Sequence, residues 1–541
     1  MTRPDDGFHV YDTTLRDGAQ REGISYSVPD KLAVARLLDQ LGVGFIEGGW
    51  PGALPKDTEF FARAGRELTL ESAQLVAFGA TRRPDRSASA DPQVLALLES
   101  GAPVVTLVAK SDVRHVTEAL RTSLEENLAM VRDTVEFLVG EGRRVFVDLE
   151  HFFDGYRHDR DYGIRVVEAA VTGGADVAVL CDTNGGMLPL GVHGVVSEVA
   201  TRIGEVRLGI HCQDDTGCAV ANTLAAVEAG ASHAQCTANG YGERTGNADL
   251  FAVIGNLETK LDRRVLPAGR LSDMVRVSHA LAEIANIAPD THQPYVGVSA
   301  FAHKAGLHAS AIKVSPDLYN HLDPAVVGND MRVLVTEMAG RASVELKGRE
   351  LGYDLASDRE ALGSLVDRVK ELEAGGYSFE AADASFELLL REVTEGAKPR
   401  FFAVESWRTI TEQRPDGEIV SEATVKVRAE GQRIVATGEG NGPVNSLDNA
   451  LRQALGQIFP ELVPLELVDY KVRILEGSEG TGAVTRVLVE STDGKGEWDT
   501  IGVHENVIAA SWMALEDAIT YGLLRAGRPP AAGIAGEASL P

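Results

Sequence analysis

Three features of the sequence predict an α/β chain built on a closed, eight-stranded parallel barrel. Eight short apolar segments recur over its first half, helical patterns separate most of them, and polar residues gather where the segments end. Eight strands alternating with helices is the count of a TIM (β/α)8 barrel, whose chemistry sits at the C-terminal ends of the strands.

The predicted strands are residues 9–13, 43–48, 75–80, 104–110, 145–150, 175–182, 207–213 and 232–238. Short continuous apolar runs of this kind suit a parallel sheet covered on both faces. Helices are predicted over 30–41, 91–100 and 222–229. In the first, Leu32, Ala35, Leu38 and Leu41 share a face, Pro29 and Asp30 mark the start, and Gly42 stops it. The barrel is assigned to 1–270 and a helical linker region to 271–395, including a helix over 360–374 and a hinge over 391–400.

Residues 396–541 read as an α+β domain. ATVKVRAEGQRIVATGEG and VDYKVRILEGSEGTGAVTRVLVESTDG alternate like antiparallel hairpins, and helices are predicted after them at 446–455 and 505–524. A strand–strand–helix unit appearing twice predicts a duplicated domain with Ile508, Trp512, Leu515 and Ile519 in its core. Gly477, Gly480 and Gly482 fit either the border of a small pocket or a hairpin bend.

At 541 residues the chain exceeds one compact core, so two or three domains are expected. Fifty-two Lys and Arg face 80 Asp and Glu, a formal net charge of -28. That balance argues against nucleic acid or an anionic membrane as partner, while a local patch still admits an anionic substrate. Four cysteines in so long a chain make no disulfide scaffold. The first residues lack a signal-peptide pattern and no apolar run spans a membrane, so the expected location is cytoplasmic.

The candidate site lies at the barrel mouth. TTLRDG places Arg16 and Asp17 beside Gly18, a pair that is otherwise an ordinary turn. In GIHCQDDTG the period-two geometry turns His211 and Gln213 to one side, as half of a divalent-metal site or as core and capping residues. NGYGERTGN brings Gly240, Gly242 and Gly246 together with Asn239, Arg244 and Asn247. Such a loop approaches an extended phosphate or pantetheine group, or simply turns the chain. Asp17, His211, Gln213 and Asn247 form a mixed oxygen and nitrogen set suited to Mg²⁺, Mn²⁺ or a catalytic Zn²⁺. Glu47, Lys110, Glu150 and Asp182 end other strands.

YDTTLRDGAQREG, FIEGGWPGALPKD, HFFDGY, CDTNGG, AVANTLAAVEAGA, NGYGERTGN and FAHKAGLHASA together resemble the acyl-CoA-dependent 2-oxoacid condensing enzymes, relatives of the hydroxymethylglutaryl-CoA lyases. Within them the likeness is to the citramalate synthase branch. The resemblance implies metal ligation by Asp17, His211 and, at or near the shell, Asn247. It implies charge stabilisation by Arg16, an active-site Glu150, and substrate contacts at Thr183 and Glu47. It also implies His308 and Tyr319 reaching a site from the linker, and acetyl-CoA as co-substrate near Asn239, Gly240, Gly242 and Arg244. Gln213 departs from the family's second histidine, which leaves the metal open and raises Asp214 with water as a substitute. The implied reaction joins acetyl-CoA to pyruvate to give (R)-citramalate in isoleucine biosynthesis. The C-terminal domain is implied to pair two subunits and sense isoleucine. Isopropylmalate or homocitrate synthesis, and a non-catalytic sensor on the same scaffold, are the competing readings.

Overall fold

A computed structural model describes residues 7–204, 206–335, 340–355, 358–475 and 482–531. The chain forms two compact units, residues 1–301 with 322–330, and residues 302–321 with 331–541. Gly477 and Gly480 of the predicted loop lie outside the described residues.

The first unit is the barrel. Its strands are β1 (His9–Asp12), β2 (Phe45–Gly49), β3 (Gln74–Ala80), β4 (Val104–Lys110), β5 (Arg144–Glu150), β6 (Val177–Asp182), β7 (Arg207–Cys212) and β8 (His233–Cys236). They close in sequence order, β8 pairing parallel with β1. All eight predicted strands are present, and the second and sixth start two residues late. The reason is local: Val43 and Ala175 donate their N–H groups back to Leu38 and Ala170, closing the preceding helices. Gly42 makes the first of these caps at φ 100°, where a Cβ would strike Pro267. The helix it ends, Val28–Leu41, starts in a capping box between Ser27 and Asp30.

Alternation along the strands sorts inner from outer side chains. Tyr11, Phe45, Val76, Val104, Phe146 and Val179 pack together inside the barrel. Phe45 and Phe146 meet edge to face at 5.2 Å, and His233 sits 5.2 Å from Phe146, making an aromatic floor below the mouth. At this end the Nδ1 atoms of His9 and His233 lie 3.2 Å apart. Burial first, then His9, Arg207 and Arg144, push the His233 pKa well below its ordinary 6.5. The folded protein therefore keeps His233 neutral while the unfolded chain takes up a proton below about pH 6.5. Stability from this site is complete above that pH and declines as pH falls, by at most about 1.4 kcal/mol per pH unit. His233→Gln is expected to flatten the dependence of the urea midpoint on pH between about 6.5 and 5.

In the second unit, helices Arg341–Glu350, Arg359–Ala374 and Asp383–Glu395 bury Val344, Leu365, Phe386 and Leu390. The predicted hinge over 391–400 is half helical. Arg391 pairs with Glu387 and Glu395 one turn either side, and the helix ends only at Gly396. Two antiparallel sheets follow: β9 (Phe402–Gln413), β10 (Ile419–Ala429) and β11 (Gln432–Gly440), then β12 (Glu466–Ile474), β13 (Thr485–Thr492) and β14 (Glu497–His504). Each is followed by a helix, Pro443–Leu455 and Val507–Arg525. The duplication holds, but each unit has three strands where two were expected. The missed strands, β9 and β14, lie at sheet edges outside the two alternating runs. Both first strands carry an irregularity near their start, after Val404 and after Leu467.

Val507–Arg525 is apolar and long enough to cross a membrane, yet it buries Trp512, Leu515, Ile519 and Leu523 in the core of this unit. Trp512 stacks on Trp407 at 5.8 Å, and Ile508 is partly buried beside that core.

Candidate active site

Directly after β1 the chain folds so tightly that Arg16, Asp17 and Gly18 all donate their N–H groups to the Thr13 carbonyl. Asp12 holds this turn by accepting from the Thr14 N–H at 3.0 Å and its hydroxyl at 2.7 Å. Burial pushes the Asp12 carboxyl up to about 7. The turn projects Arg16 and Asp17 together, Nη1 to Oδ2 3.5 Å.

Arg16 is fixed on two sides. Its Nε donates to Glu47 Oε1 at 2.5 Å, and its guanidinium lies 3.9 Å over the Phe78 ring. Burial opposes its charge, and Glu47 and then Asp17 outweigh that opposition, so its pKa is raised. Glu47 is fully buried, and both its oxygens are engaged by Thr13, Arg16 and Tyr11. Its place is behind Arg16, where it orients that side chain.

The end of β7 supplies His211 and Gln213, and the 239–247 loop supplies Asn247. His211 Nε2 is 3.4 Å from Asp17 Oδ2 and 3.5 Å from the Gln213 carboxamide nitrogen, Nε2. Gln213 and Asn247 are bridge partners in the backbone. Burial lowers the His211 pKa against the pull of Asp17, which keeps the ring neutral, as a metal ligand must be. Two orphaned atoms test the fit to a cation. Gln213 Oε1 and Asn247 Oδ1 are buried and accept no hydrogen bond. A buried carbonyl oxygen without a partner is costly, and a cation beside it removes the cost. The donor set thus fits a hard divalent cation. Among the described residues no group of three or more His, Cys, Asp or Glu is placed to hold one, so the amides are needed. Asp214 Oδ1 accepts from the Ala219 N–H at 2.7 Å, at the start of the next helix.

The glycines of the 239–247 loop wrap Asn247. A Cβ at Gly242 would strike the Asn247 side chain and one at Gly246 the Gly240 carbonyl. Asn247 Nδ2 donates to the Tyr241 carbonyl at 3.0 Å, which turns Oδ1 the other way. Asn239 is bound internally to Ser278 and Gln293. Arg244 donates to both Asp215 oxygens and to the Thr183 carbonyl.

Across the mouth, Thr183 Oγ1 accepts the His151 N–H at 2.8 Å, leaving its own proton to donate. Glu150 pairs with Lys110. His308 and Tyr319 belong to the second unit, where their rings stack at 4.1 Å. The cysteines are core residues: burial raises the thiols of Cys181, Cys212 and Cys236.

Sequence reasoning passed over Tyr11, Thr13, Phe78, Asp148 and Gln235. Asp148 is buried inside the barrel, and burial, then Glu47, push its carboxyl up to about 8. The available signal was alternation: Asp148 lies two residues before Glu150, and Gln235 two after His233, on the inward side of their strands.

Residues 8–285 match the HMGL-like family, residues 295–376 the homocitrate synthase post-HMGL domain-like family, and residues 380–523 the LeuA allosteric (dimerisation) domain. The chain is 68% identical over 527 residues to an (R)-citramalate synthase of Streptomyces coelicolor, covering 97% of this chain and 98% of that one. It is 47% identical to the (R)-citramalate synthase of Aquifex aeolicus (96% and 98% covered) and 48% identical to that of Synechocystis (95% and 96%). With likeness running through both units and an acid–imidazole–amide site at the barrel mouth, the chain belongs to the HMGL-like family and, within it, to the (R)-citramalate synthases.

Proposed function

We propose that this chain condenses acetyl-CoA with pyruvate and hydrolyses the product thioester, releasing (R)-citramalate and CoA. The observation that carries the reading is the grouping of Arg16, Asp17, His211 and Gln213 at the mouth, with Gln213 bridged to Asn247 and one buried carbonyl oxygen on each of these two amides left without a hydrogen bond. A divalent cation held by Asp17, His211, Gln213 and Asn247 would polarise the keto group and template the 2-oxoacid. One imidazole among oxygen donors favours Mn²⁺ or Mg²⁺ over Zn²⁺.

The protein's own groups do the rest. Thr183, its hydroxyl proton free, donates to the substrate carboxylate. Arg16 faces the oxygen that gains negative charge, pre-positioned by Glu47 and Phe78 so that little reorganisation remains. The methyl carbon of the thioester loses a proton and bonds to C2 of pyruvate, and the keto oxygen becomes a hydroxyl. His308, working with Tyr319 or Glu150, accepts that proton and returns it to the former keto oxygen. Water then cleaves the C–S bond to give thiol and carboxylate.

For the second unit we assign a homodimer and isoleucine sensing. A cavity of about 660 Å³ is lined by Val444, Leu465, Leu467 and Tyr470, with Asp448 and Arg452 beside them. Asp448 and Arg452 pair with each other at 2.8 Å, so the apolar wall is what supports placing a branched-chain amino acid here. We place the enzyme in the cytoplasm.

The test is thiol release from acetyl-CoA by the full-length protein. Release should need both pyruvate and Mn²⁺ or Mg²⁺, and cease with EDTA. Release that ignores pyruvate or survives metal removal contradicts the assignment.

A further inference from the structure

Below the mouth, a buried polar chain crosses the barrel interior. His211 Nδ1 lies 3.0 Å from Gln235 Oε1, and Gln235 Nε2 donates to Asp148 Oδ1 at 2.8 Å. His211 and Gln235 are register partners on β7 and β8, whereas Asp148 lies on β5, across the barrel interior. His211, Gln235 and Asp148 are 6%, 1% and 4% exposed, so water does not replace these bonds.

We propose that Gln235 and Asp148 are positioning residues that set the tautomer and ring angle of His211. Resting on the divalent-cation reading of the site, this adds the device that prepares one of its ligands. In the structure Asp148 Oδ1 accepts from Gln235 Nε2, and that bond holds the carboxamide with Nε2 toward β5 and Oε1 toward His211. The acceptor at Nδ1 lies at 3.0 Å, nearer than Asp17 Oδ2 at 3.4 Å from Nε2, and the Gln213 carboxamide nitrogen also faces Nε2 at 3.5 Å, so the arrangement favours the ring proton on Nδ1. The lone pair then lies on Nε2, the atom that faces Asp17. Reversing the Gln235 carboxamide would set its N–H₂ against Nδ1 and drive the proton to Nε2, where it would block ligation. Hydrogen-bond partners behind a metal-bound histidine change metal affinity about 10–100-fold.

Two readouts on the full-length protein test this. In metal-free protein labelled at histidine with ¹⁵N, with His211 assigned by its loss in His211→Gln, the His211 ring should show the Nδ1–H tautomer. Gln235→Met, similar in volume but without polar atoms, should lose that preference and bind Mn²⁺ about 10–100-fold more weakly at unchanged melting temperature. The exchange Asp148→Asn with Gln235→Glu restores an acceptor to His211 and a donor between the partners. It should recover most of the Mn²⁺ affinity. An Nε2–H tautomer in the wild type, wild-type Mn²⁺ affinity in Gln235→Met, or no recovery in the exchanged protein would each overturn the proposal. Absence of Mn²⁺ binding by the wild type, with the Nδ1–H tautomer present, would overturn the cation reading and leave the tautomer assignment standing.

Discussion

Asp17→Asn is expected to weaken Mn²⁺ binding and to lower thiol release by more than about 100-fold, the upper range for residues one step removed from a metal. The substitution preserves shape and one carbonyl oxygen while deleting the only carboxylate in the proposed ligand set. It also leaves Arg16 with one fewer negative neighbour, 3.5 Å away, and removes the group facing His211 Nε2. Asp17 lies at the mouth beyond the aromatic floor, so the melting temperature should change little. Titration calorimetry with Mn²⁺, thiol release and circular dichroism separate these effects. Equal Mn²⁺ affinity in wild type and variant would remove Asp17 from the ligand set.

Arg16→Gln should lower kcat about 10²–10³-fold at saturating metal, the usual cost of one pre-positioned donor to a developing oxyanion. Mn²⁺ affinity should hold or rise, because Arg16 repels rather than binds the ion. The variant carries a structural cost too. Glu47 is fully buried and would lose its cation, and breaking a buried pair from one side costs about 3–5 kcal/mol. Arg16→Lys therefore accompanies it: charge returns, the planar stack on Phe78 does not. A lysine variant that folds normally with kcat still well below wild type assigns the loss to guanidinium geometry. A wild-type kcat in both variants contradicts the role.

The barrel was legible because its strands are short apolar runs between amphipathic helices, and the mouth residues end those runs. Boundaries slipped where cap geometry took residues from the strand, as at Val43 and Ala175. In the C-terminal domain, β9 and β14 were missed because their burial does not alternate cleanly along the strand. Within the site, Arg16, Asp17, His211, Gln213 and Asn247 could be gathered from motif and spacing. Their supports could not. Glu47 behind Arg16, and Gln235 beneath His211, depend on which side chains meet across the barrel interior, which no local pattern encodes. The glycine loop reads either as an approach to a ligand or as a plain turn, and which side chain it encloses, Asn247, comes only from the structure.

The most direct test of the central claim is parallel thiol release from acetyl-CoA with Mn²⁺, comparing pyruvate, 2-oxobutyrate, 2-oxoisovalerate and 2-oxoglutarate. Pyruvate is expected ahead of 2-oxobutyrate by at least about 10-fold in kcat/KM, the discrimination one extra methylene allows, and further ahead of the larger acids. Preference for 2-oxoisovalerate or 2-oxoglutarate would contradict the substrate assignment, and no release with any of the four would contradict catalysis itself.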